Sequence, residues 1–351
     1  MASFATRVEL SVRGVRVDAP VRRRSGAGPS DDGHVLLDGL AAAVPIDDTS
    51  PFTVAGGRLL LEGDDAGVAV EAVARPAFYD LRTADGVPYH QLARLHGRDV
   101  LATTVIQTCI RYRPADRCRF CAIEESLHAG ATTRVKTPAQ LAEVAAAAVR
   151  LDGVRQMVMT TGTTATPDRG ARYLAACVRA VRAAVPDLPV QVQCEPPADL
   201  TALTALHDAG AAAIGIHVES LDDGVRARWM PGKATVPLAA YWAAWREAVR
   251  VFGRNRVSTY LLVGLGEDPD ELVAGAAALA DIGVYPFVVP VRPLAGTLAA
   301  ADGLQPPAPD LVADVTSRVA ALLRSSAMYG RDQNAGCAAC GACSALAAAG
   351  A

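Results

Sequence analysis

The chain has 351 residues, of which 51% are hydrophobic, and its formal net charge is −3. This length suffices for one large core, or for a large domain with a smaller companion, and the near-neutral charge argues against extensive binding of nucleic acid or membrane surfaces. No apolar stretch reaches the roughly 20 residues that a membrane helix needs, and the start MASFATRVELSV lacks the apolar segment of a secretory signal, so we expect a cytoplasmic protein.

Residues 1–95 are predicted to form a small β-rich N-terminal extension. The stretch VELSVRGVRVD at 8–18 alternates apolar and polar residues, as a half-buried strand does. RRRSGAGPSDDG at 22–33 is a charged, turn-rich loop in which Arg22–Arg24 are expected to be solvated. RLLLEGDDAGVAVEAV predicts a hairpin around Gly63–Gly67.

From about residue 99, apolar β-branched runs alternate with alanine-rich helical patterns. The predicted strands are Val100–Gln107, Val154–Thr160, Pro189–Cys194, Ala212–Glu219, Arg256–Gly264 and Val284–Val291. The predicted helices lie near Pro138–Arg150, Arg169–Val185, Asp199–Ala209, Val236–Phe252, Pro269–Ile282 and Asp310–Met328. Strands this continuously apolar favour a parallel sheet covered by helices. Six βα units would form either an open, partial barrel or a flat doubly wound sheet.

Polar, glycine-rich or thiol-bearing residues follow each of the six predicted strands. They are Cys109 with its loop, Thr160–Thr163, Cys194–Pro197, Glu219 with Ser220, Gly264–Glu267, and Arg292 with Pro293. Because the carboxyl ends of parallel strands form the active face of α/β barrels and open sheets, we expect these loops to assemble one site.

Six of the eight cysteines fall into two tight triplets, which in a reducing compartment favour metal or cluster ligation over disulfides. The remaining two, Cys177 and Cys194, are predicted to be buried small apolar residues.

The first triplet, Cys109, Cys118 and Cys121, has the spacing C-x8-C-x2-C in the loop TCIRYRPADRCRFC. Three thiolates can hold three irons of a cubane cluster and leave the fourth iron open, whereas four thiolates are usual for electron transfer alone. Zinc is the competing interpretation, but structural zinc prefers four protein ligands, and the nearby sequence offers only His128 as a fourth.

These features resemble the radical S-adenosylmethionine (SAM) superfamily over about residues 99–300. Its members carry three cluster cysteines after the first strand of a partial (βα)6 TIM-type barrel, with an aromatic residue before the last cysteine, here Phe120. The usual spacing is C-x3-C-x2-C, so this chain has a longer loop. The resemblance implies an α/β fold with a (βα)6 core at 96–305, followed at 306–351 by a C-terminal helix and a Cys-rich tail. It also implies that the first triplet binds a [4Fe–4S] cluster and SAM.

The resemblance further implies cofactor-binding roles for residues at the strand ends. Thr161 and Gly162 correspond loosely to a Gly-Gly-Glu-like segment that meets the methionine amino group, and Glu219 to a residue that binds the ribose. For the methionine carboxylate we prefer Arg226 over Arg228 and Lys233, because it is nearest to Glu219 in sequence.

The element after the fifth strand is G-x-I-x-G-x-x-E in the family. Here Gly264 and Gly266 match its second half, whereas Tyr260 replaces its first glycine. Val289 in the sixth strand would flank the adenine. Two plainer alternatives stay open: Gly264 and Gly266 are only turn glycines, and Glu219 only caps the helix that starts near Asp222.

The second triplet, Cys337, Cys340 and Cys343 in GCAACGACSAL, matches the front of the bacterial ferredoxin run. It favours an auxiliary iron–sulfur cluster, with a small zinc clip or an inert tail as the alternative. Substrate, Cys194 or another group would complete the fourth position of such a cluster.

The implied function is reductive cleavage of SAM to methionine and a 5′-deoxyadenosyl radical, which takes hydrogen from a small-molecule substrate. The electron would come from reduced flavodoxin or ferredoxin. Candidate substrate-side residues are Tyr112, Cys194, Glu195, His217 and Arg292, and the alternative for His217 is a satisfied core histidine. The segments GIHVESLDDGVRARWMPGK and PFVVPVRPLAGT resemble a biotin-synthase-like subgroup associated with nitrilase gene clusters. The rival classes are an iron–sulfur electron carrier or sensor, and a zinc-stabilised ligand-binding barrel.

Overall fold

The computed structural model describes residues 2–17 and 34–349. The predicted strand at 8–18 is wrong, because residues Phe4–Arg13 form helix α1, which Ser3 caps by accepting a hydrogen bond from the Thr6 amide. The alternation has a different cause: Val8 and Val12 pack into the main core, whereas Leu10 packs into a second core beneath the N-terminal sheet. The helix is thus buried on two sides. The charged loop predicted at 22–33 lies outside the described residues.

An antiparallel five-stranded sheet follows α1, in the order β2-β1-β5-β4-β3. Its strands are β1 (His34–Leu37), β2 (Leu40–Ala43), β3 (Phe52–Ala55), β4 (Arg58–Leu61) and β5 (Asp64–Ala72). The predicted hairpin is confirmed as the β4–β5 pair, with a register shift between Arg58 and Leu60. A β-rich extension therefore precedes the main domain, although the predicted domain boundaries stay a prediction.

A seven-stranded sheet forms the centre of the main domain, in the order β12-β11-β10-β9-β8-β7-β6. Its strands are β6 (Arg94–His96), β7 (Val100–Thr104), β8 (Gln156–Thr160), β9 (Val190–Gln193), β10 (Ala213–Gly215), β11 (Val257–Val263) and β12 (Val284–Pro290). All six predicted strands are present and parallel, and β6 adds an antiparallel edge that the sequence did not reveal. Because the parallel strands follow one another without reversal, the sheet is not doubly wound. It is a curled half-barrel.

Helices cover the outer face of this sheet, and neighbouring helices contact one another in sequence order. The longer ones are α4 (Pro138–Asp152), α5 (Ala171–Ala184), α6 (Thr201–Asp208), α9 (Leu238–Phe252), α10 (Pro269–Asp281) and α12 (Pro309–Ser325). Shorter helices are α2 (Tyr89–Leu92), α3 (Glu125–His128), α7 (Asp223–Trp229), α8 (Pro231–Ala234), α11 (Leu298–Ala301) and α13 (Cys337–Cys340). Single 3₁₀ turns lie at Ala77–Asp80 and Gly330–Asp332. The six predicted helices are all confirmed.

The alternation of side chains along each strand separates the helix-covered face from the barrel interior. On β9, Val190 and Val192 join the main core under the helices, whereas Gln191 and Gln193 hydrogen-bond each other on the opposite face. The inner face of β9 is therefore polar. In the part of the chain that the structure describes, no helix combines the length and apolarity needed to cross a membrane.

Candidate active site

The loop that carries the first cysteine triplet is fixed at its start by the loop after β8. The Gly162 amide donates to Ile106 O at 2.8 Å, and the Ile110 amide donates to Thr163 O at 3.0 Å. A Cβ on Gly162 would overlap the carbonyl of Thr108, the residue before the first cysteine. Glycine is required here for close approach of two backbones, so the predicted Thr161–Gly162 segment does lie against the cysteine loop.

Three further connections hold the rest of this loop. The Gly232 amide donates to Asp116 O at 2.9 Å, and the Arg119 amide donates to Trp229 O at 2.7 Å. Arg111 donates to the Glu195 carboxylate at 2.8 Å, and both side chains are nearly buried. The loops after β8, β9 and β10 thus all fasten the cysteine loop, as the sequence predicted from their common edge.

The three thiols of the first triplet lie close enough for their charges to interact. Burial raises the pKa of Cys118 well above its usual value, and the Cys121 charge adds to this. Burial likewise raises the pKa of Cys121 to about 11, with a contribution from Cys109, while the backbone amide of Ile123 opposes the rise. Buried thiols of raised pKa stay protonated until a cation stabilises the thiolate, which suits a metal-binding loop.

No three His, Cys, Asp or Glu side chains within residues 2–17 and 34–349 are arranged to hold a single metal ion. Ligands of one tetrahedral zinc would lie about 3.8 Å apart, given Zn–S bonds of about 2.3 Å. In a cubane cluster each thiolate binds a different iron, so its ligands need not be this close.

A buried ion pair lies beside these thiols. Lys233 donates to Glu219 Oε2 at 2.7 Å, with side-chain exposures of 9% and 15%. Burial alone would lower the pKa of Lys233, but the charge of Glu219, aided by Tyr241 and Cys118, raises it. Glu219 follows β10 with φ of 64°. It does not cap α7, because Asp222 does so by accepting from the Val225 amide at 2.7 Å.

Arg226, the residue preferred for the methionine carboxylate, is turned away from the cysteines. It is 1% exposed and donates to Val236 O at 2.5 Å and to Asp223 at 2.7 Å. Its guanidinium also lies over the Tyr241 ring. Arg226 is thus held within α7 and α8, whereas the chain returns through α8 to bring Lys233 beside Cys118.

The other predicted cofactor residues occupy the same rim. Gly264 and Gly266 have φ of 106° and 96°, and the Glu267 carboxylate accepts from the Gly264 amide at 2.6 Å. Both glycines are therefore needed for the turn itself. Phe120 packs against the main core, and Val289 is buried in β12 opposite Leu262.

The substrate-side candidates separate into two groups. Tyr112 donates to Glu125 at 3.1 Å and Glu195 pairs with Arg111, so both lie at the cysteine loop. Cys194, by contrast, continues the face of Val190 and Val192 and belongs to the main core under the helices. It lies on the opposite side of β9 from the barrel interior. Cys177 is also buried, so the burial predicted for both cysteines is confirmed.

His217 faces the barrel interior, and its tautomer follows from its contacts. Its Nδ1 accepts from the Tyr260 amide at 3.2 Å, and its ring stacks on Tyr260 at 4.1 Å. Burial, with a contribution from the Lys233 charge, lowers its pKa to about 3. The imidazole is therefore neutral with its proton on Nε2, an atom with no hydrogen-bond partner among the described residues. It is not a satisfied core histidine.

The second cysteine triplet lies inside the half-barrel. The Gly336 amide donates to Gln156 Oε1 at 2.8 Å, Gln193 Nε2 donates to Cys337 Sγ at 3.4 Å, and Ser344 donates to Val288 O at 2.6 Å. The tail thus contacts strands β8, β9 and β12 on their inner side. Sequence reasoning missed Gln193 and did not assign Tyr260 to this site, although inward polar residues on apolar strands were a signal.

The N-terminal sheet covers this tail. The Ala43 amide donates to Ala342 O at 2.8 Å, and Arg292 Nη2 donates to Ala43 O at 2.9 Å. Burial raises the pKa of Cys343 to about 11, and the neighbouring Arg292 charge partly offsets this. Arg292 therefore lies at the second triplet, between tail and extension.

Residues 112–279 match the family model described as the radical SAM superfamily. The match covers just under half of the chain, so this part of the chain is similar to a radical SAM domain. The matched segment contains Cys118, Cys121, Glu219 and Lys233, and begins three residues after Cys109. No curated protein matches the chain.

The chain is also similar, at low sequence identity, to two solved structures. Methylornithine synthase (PylB) is 15% identical with a TM-score of 0.49, over 65% of this chain and 63% of that one. The FeFe-hydrogenase maturase HydG from Carboxydothermus hydrogenoformans is 18% identical with a TM-score of 0.47, over 66% of this chain and 52% of that one. This chain therefore spans between half and two thirds of their lengths.

Proposed function

We propose that Cys109, Cys118 and Cys121 hold the [4Fe–4S] cluster of the radical SAM domain and leave one iron open for SAM. The observation that carries this proposal is the position of the triplet after β7, where partly buried, mutually interacting thiols lie beside Lys233. A lysine at this point offsets the negative charge that three thiolates bring into a buried site.

The same rim supplies groups that fit SAM. Glu219 offers a carboxylate oxygen to ribose hydroxyls, and Lys233, rather than Arg226, offers a cation to the methionine carboxylate. When SAM binds, Glu219 and Lys233 would give up part of their ion pair and contact SAM instead. The backbone of Thr161–Gly162, held against the cysteine loop, and the buried Val289 complete the predicted binding residues, with Phe120, Gly264 and Gly266 shaping the rim.

When bound and reduced, the cluster supplies one electron that splits SAM into methionine and a 5′-deoxyadenosyl radical, which removes a hydrogen atom from substrate. The protein's own residues bind, orient and exclude water. Arg111 and Glu195 close the loop over the site through a nearly buried ion pair. The neutral His217 and the phenol of Tyr112 offer polar contacts to a small substrate on the interior and loop sides respectively.

We further propose that Cys337, Cys340 and Cys343 bind a second iron–sulfur cluster in the barrel interior. Support comes from the partial burial of all three thiols, with desolvation raising the pKa of each, and from Arg292 as a neighbouring cation. Cys194 is not the fourth ligand in this arrangement, because it lies on the far side of β9. Substrate or another group would complete the site.

For the electron donor we propose an acidic protein such as reduced flavodoxin or ferredoxin. Arg113 and Arg228 are exposed near the cysteine loop, and an open groove there is lined by Arg228, Trp229 and an Arg119–Asp302 ion pair. The exposed positive charge of Arg113 and Arg228 would steer an acidic partner. The two segments noted above support placement in the biotin-synthase-like subgroup.

Anaerobic reconstitution with iron and sulfide tests the proposal. About eight irons per chain are expected, falling to about four when either triplet is replaced by alanine. SAM should perturb the electron paramagnetic resonance (EPR) signal of the variant that retains the first triplet only. Cys177→Ala is the matched control, because this buried thiol lies in α5. Zinc without iron, or a SAM-induced change that survives loss of Cys118, would contradict the proposal.

A further inference from the structure

One sulfur of the second triplet receives two side chains from the barrel wall. Gln193 Nε2 donates to Cys337 Sγ at 3.4 Å, and the Tyr260 phenol lies near the same sulfur. Gln193 ends β9 and Tyr260 is central in β11, both at inward positions. These contacts come from strands far from the tail in sequence, so they are made only when the tail lies inside the half-barrel.

The Tyr260 ring is held rigidly. One face stacks on His217 at 4.1 Å with an interplanar angle of 17°, and Phe287 packs at 5.4 Å. Tyr260 takes the position of the first glycine in the G-x-I-x-G-x-x-E element described above. The Gln193 amide is oriented in turn, since its Nε2 also donates to Gln191 Oε1 at 3.0 Å.

A partly buried positive charge also lies beside the triplet. Arg292 extends from the end of β12 and is fixed by its bond to Ala43 O. Its Nε has no hydrogen-bond partner in the described part of the chain, and its charge acts on Cys343. Donors and a cation thus surround the tail thiols.

Reduction of an iron–sulfur cluster adds negative charge to its sulfurs, so hydrogen bonds and cations at the sulfurs favour the reduced form. We propose that Gln193 and Tyr260 are positioning residues that orient the Cys337 thiolate and raise the reduction potential of the second cluster. This inference rests on the second cluster of the proposed function. On this inference, residues of the barrel strands, and not the tail sequence, set the reduction potential of the second cluster.

The test is an EPR-monitored redox titration of the full-length, reconstituted protein in which the first triplet is replaced by alanine. Tyr260→Phe removes the hydroxyl and keeps the ring against His217. In this variant we expect the equilibrium constant for reduction of the second cluster to fall about tenfold, which lowers its one-electron midpoint potential by about 59 mV. Tyr285→Phe is the matched control, because this buried phenol of β12 has its pKa raised by burial alone, with no thiol contributing.

Gln193→Leu is a second variant that should lower the potential in the same direction, and it keeps the inference testable if Tyr260→Phe loses its cluster. A midpoint unchanged in both Tyr260→Phe and Gln193→Leu, with the cluster signal intact, would overturn the inference and leave the second cluster standing. The absence of any cluster signal in the parent protein would overturn the second cluster and the inference together. A fall in both variants, with Tyr285→Phe unchanged, supports it.

Discussion

Replacement of Gly162 by alanine should dislodge the first cysteine loop. The new Cβ would overlap Thr108 O and lie 2.7 Å from Thr108 C and 3.0 Å from Ile106 O. These are backbone atoms, so no flexible side chain can yield. Since φ at Gly162 is not positive, the penalty is steric and not conformational.

The cost follows from the contacts that must separate. The Gly162–Ile106 and Ile110–Thr163 hydrogen bonds contribute about 1 kcal/mol each, and overpacking costs about 1–3 kcal/mol. Alanine regains about 0.4–1 kcal/mol through the unfolded chain. We therefore expect a net loss of about 2–4 kcal/mol in the free energy of unfolding, together with displacement of Cys109, which directly follows Thr108.

Urea unfolding and iron content should be measured for Gly162→Ala in a protein whose second triplet is alanine, so that only the first cluster is counted. Gly224→Ala is the matched control, because this glycine lies in α7 and its Cβ would meet only the Asp222 side chain at 3.1 Å. If the Gly162→Ala variant kept wild-type stability and bound four irons, that result would refute the close packing of the loops after β7 and β8.

Lys233→Met should lower the free energy of unfolding by about 3–5 kcal/mol, because it leaves the Glu219 carboxylate buried and unpaired. Adding Glu219→Leu to this variant should restore part of the loss. A loss below about 1 kcal/mol for Lys233→Met in urea unfolding would contradict burial of the pair. Burial lowers the pKa of Lys136 to about 7, so the folded chain releases this proton at lower pH than the unfolded chain, and stability should rise with pH through this window. Lys136→Met should remove about 2 kcal/mol of the rise between about pH 7 and pH 9, and an unchanged pH dependence would show that the lysine is solvated.

The sequence predicted the six βα units well because their apolar runs and alanine-rich helices repeat with clear periods. It failed at Phe4–Arg13, where a helix buried between two cores imitates strand alternation. It also missed β6, which is only three residues long. Local pattern cannot reveal either feature, since both depend on what packs against them.

At the site, spacing predicted the first triplet and the loops that surround it, because strand ends of a parallel sheet meet at one edge. The choice between Arg226 and Lys233 depends on the turn between α7 and α8, which the spacing of these residues does not reveal. The position of Cys337 beside Gln193 was beyond sequence reasoning, because the tail reaches the interior through contacts separated by more than a hundred residues.

The most direct test of the central claim is formation of 5′-deoxyadenosine from SAM by the reconstituted protein under dithionite. The wild-type protein and the Cys337→Ala variant should both form it, whereas Cys118→Ala should form none. Intact clusters that yield no 5′-deoxyadenosine in the wild-type protein, or equal yield from Cys118→Ala, would contradict assignment of the SAM-binding iron to Cys109, Cys118 and Cys121.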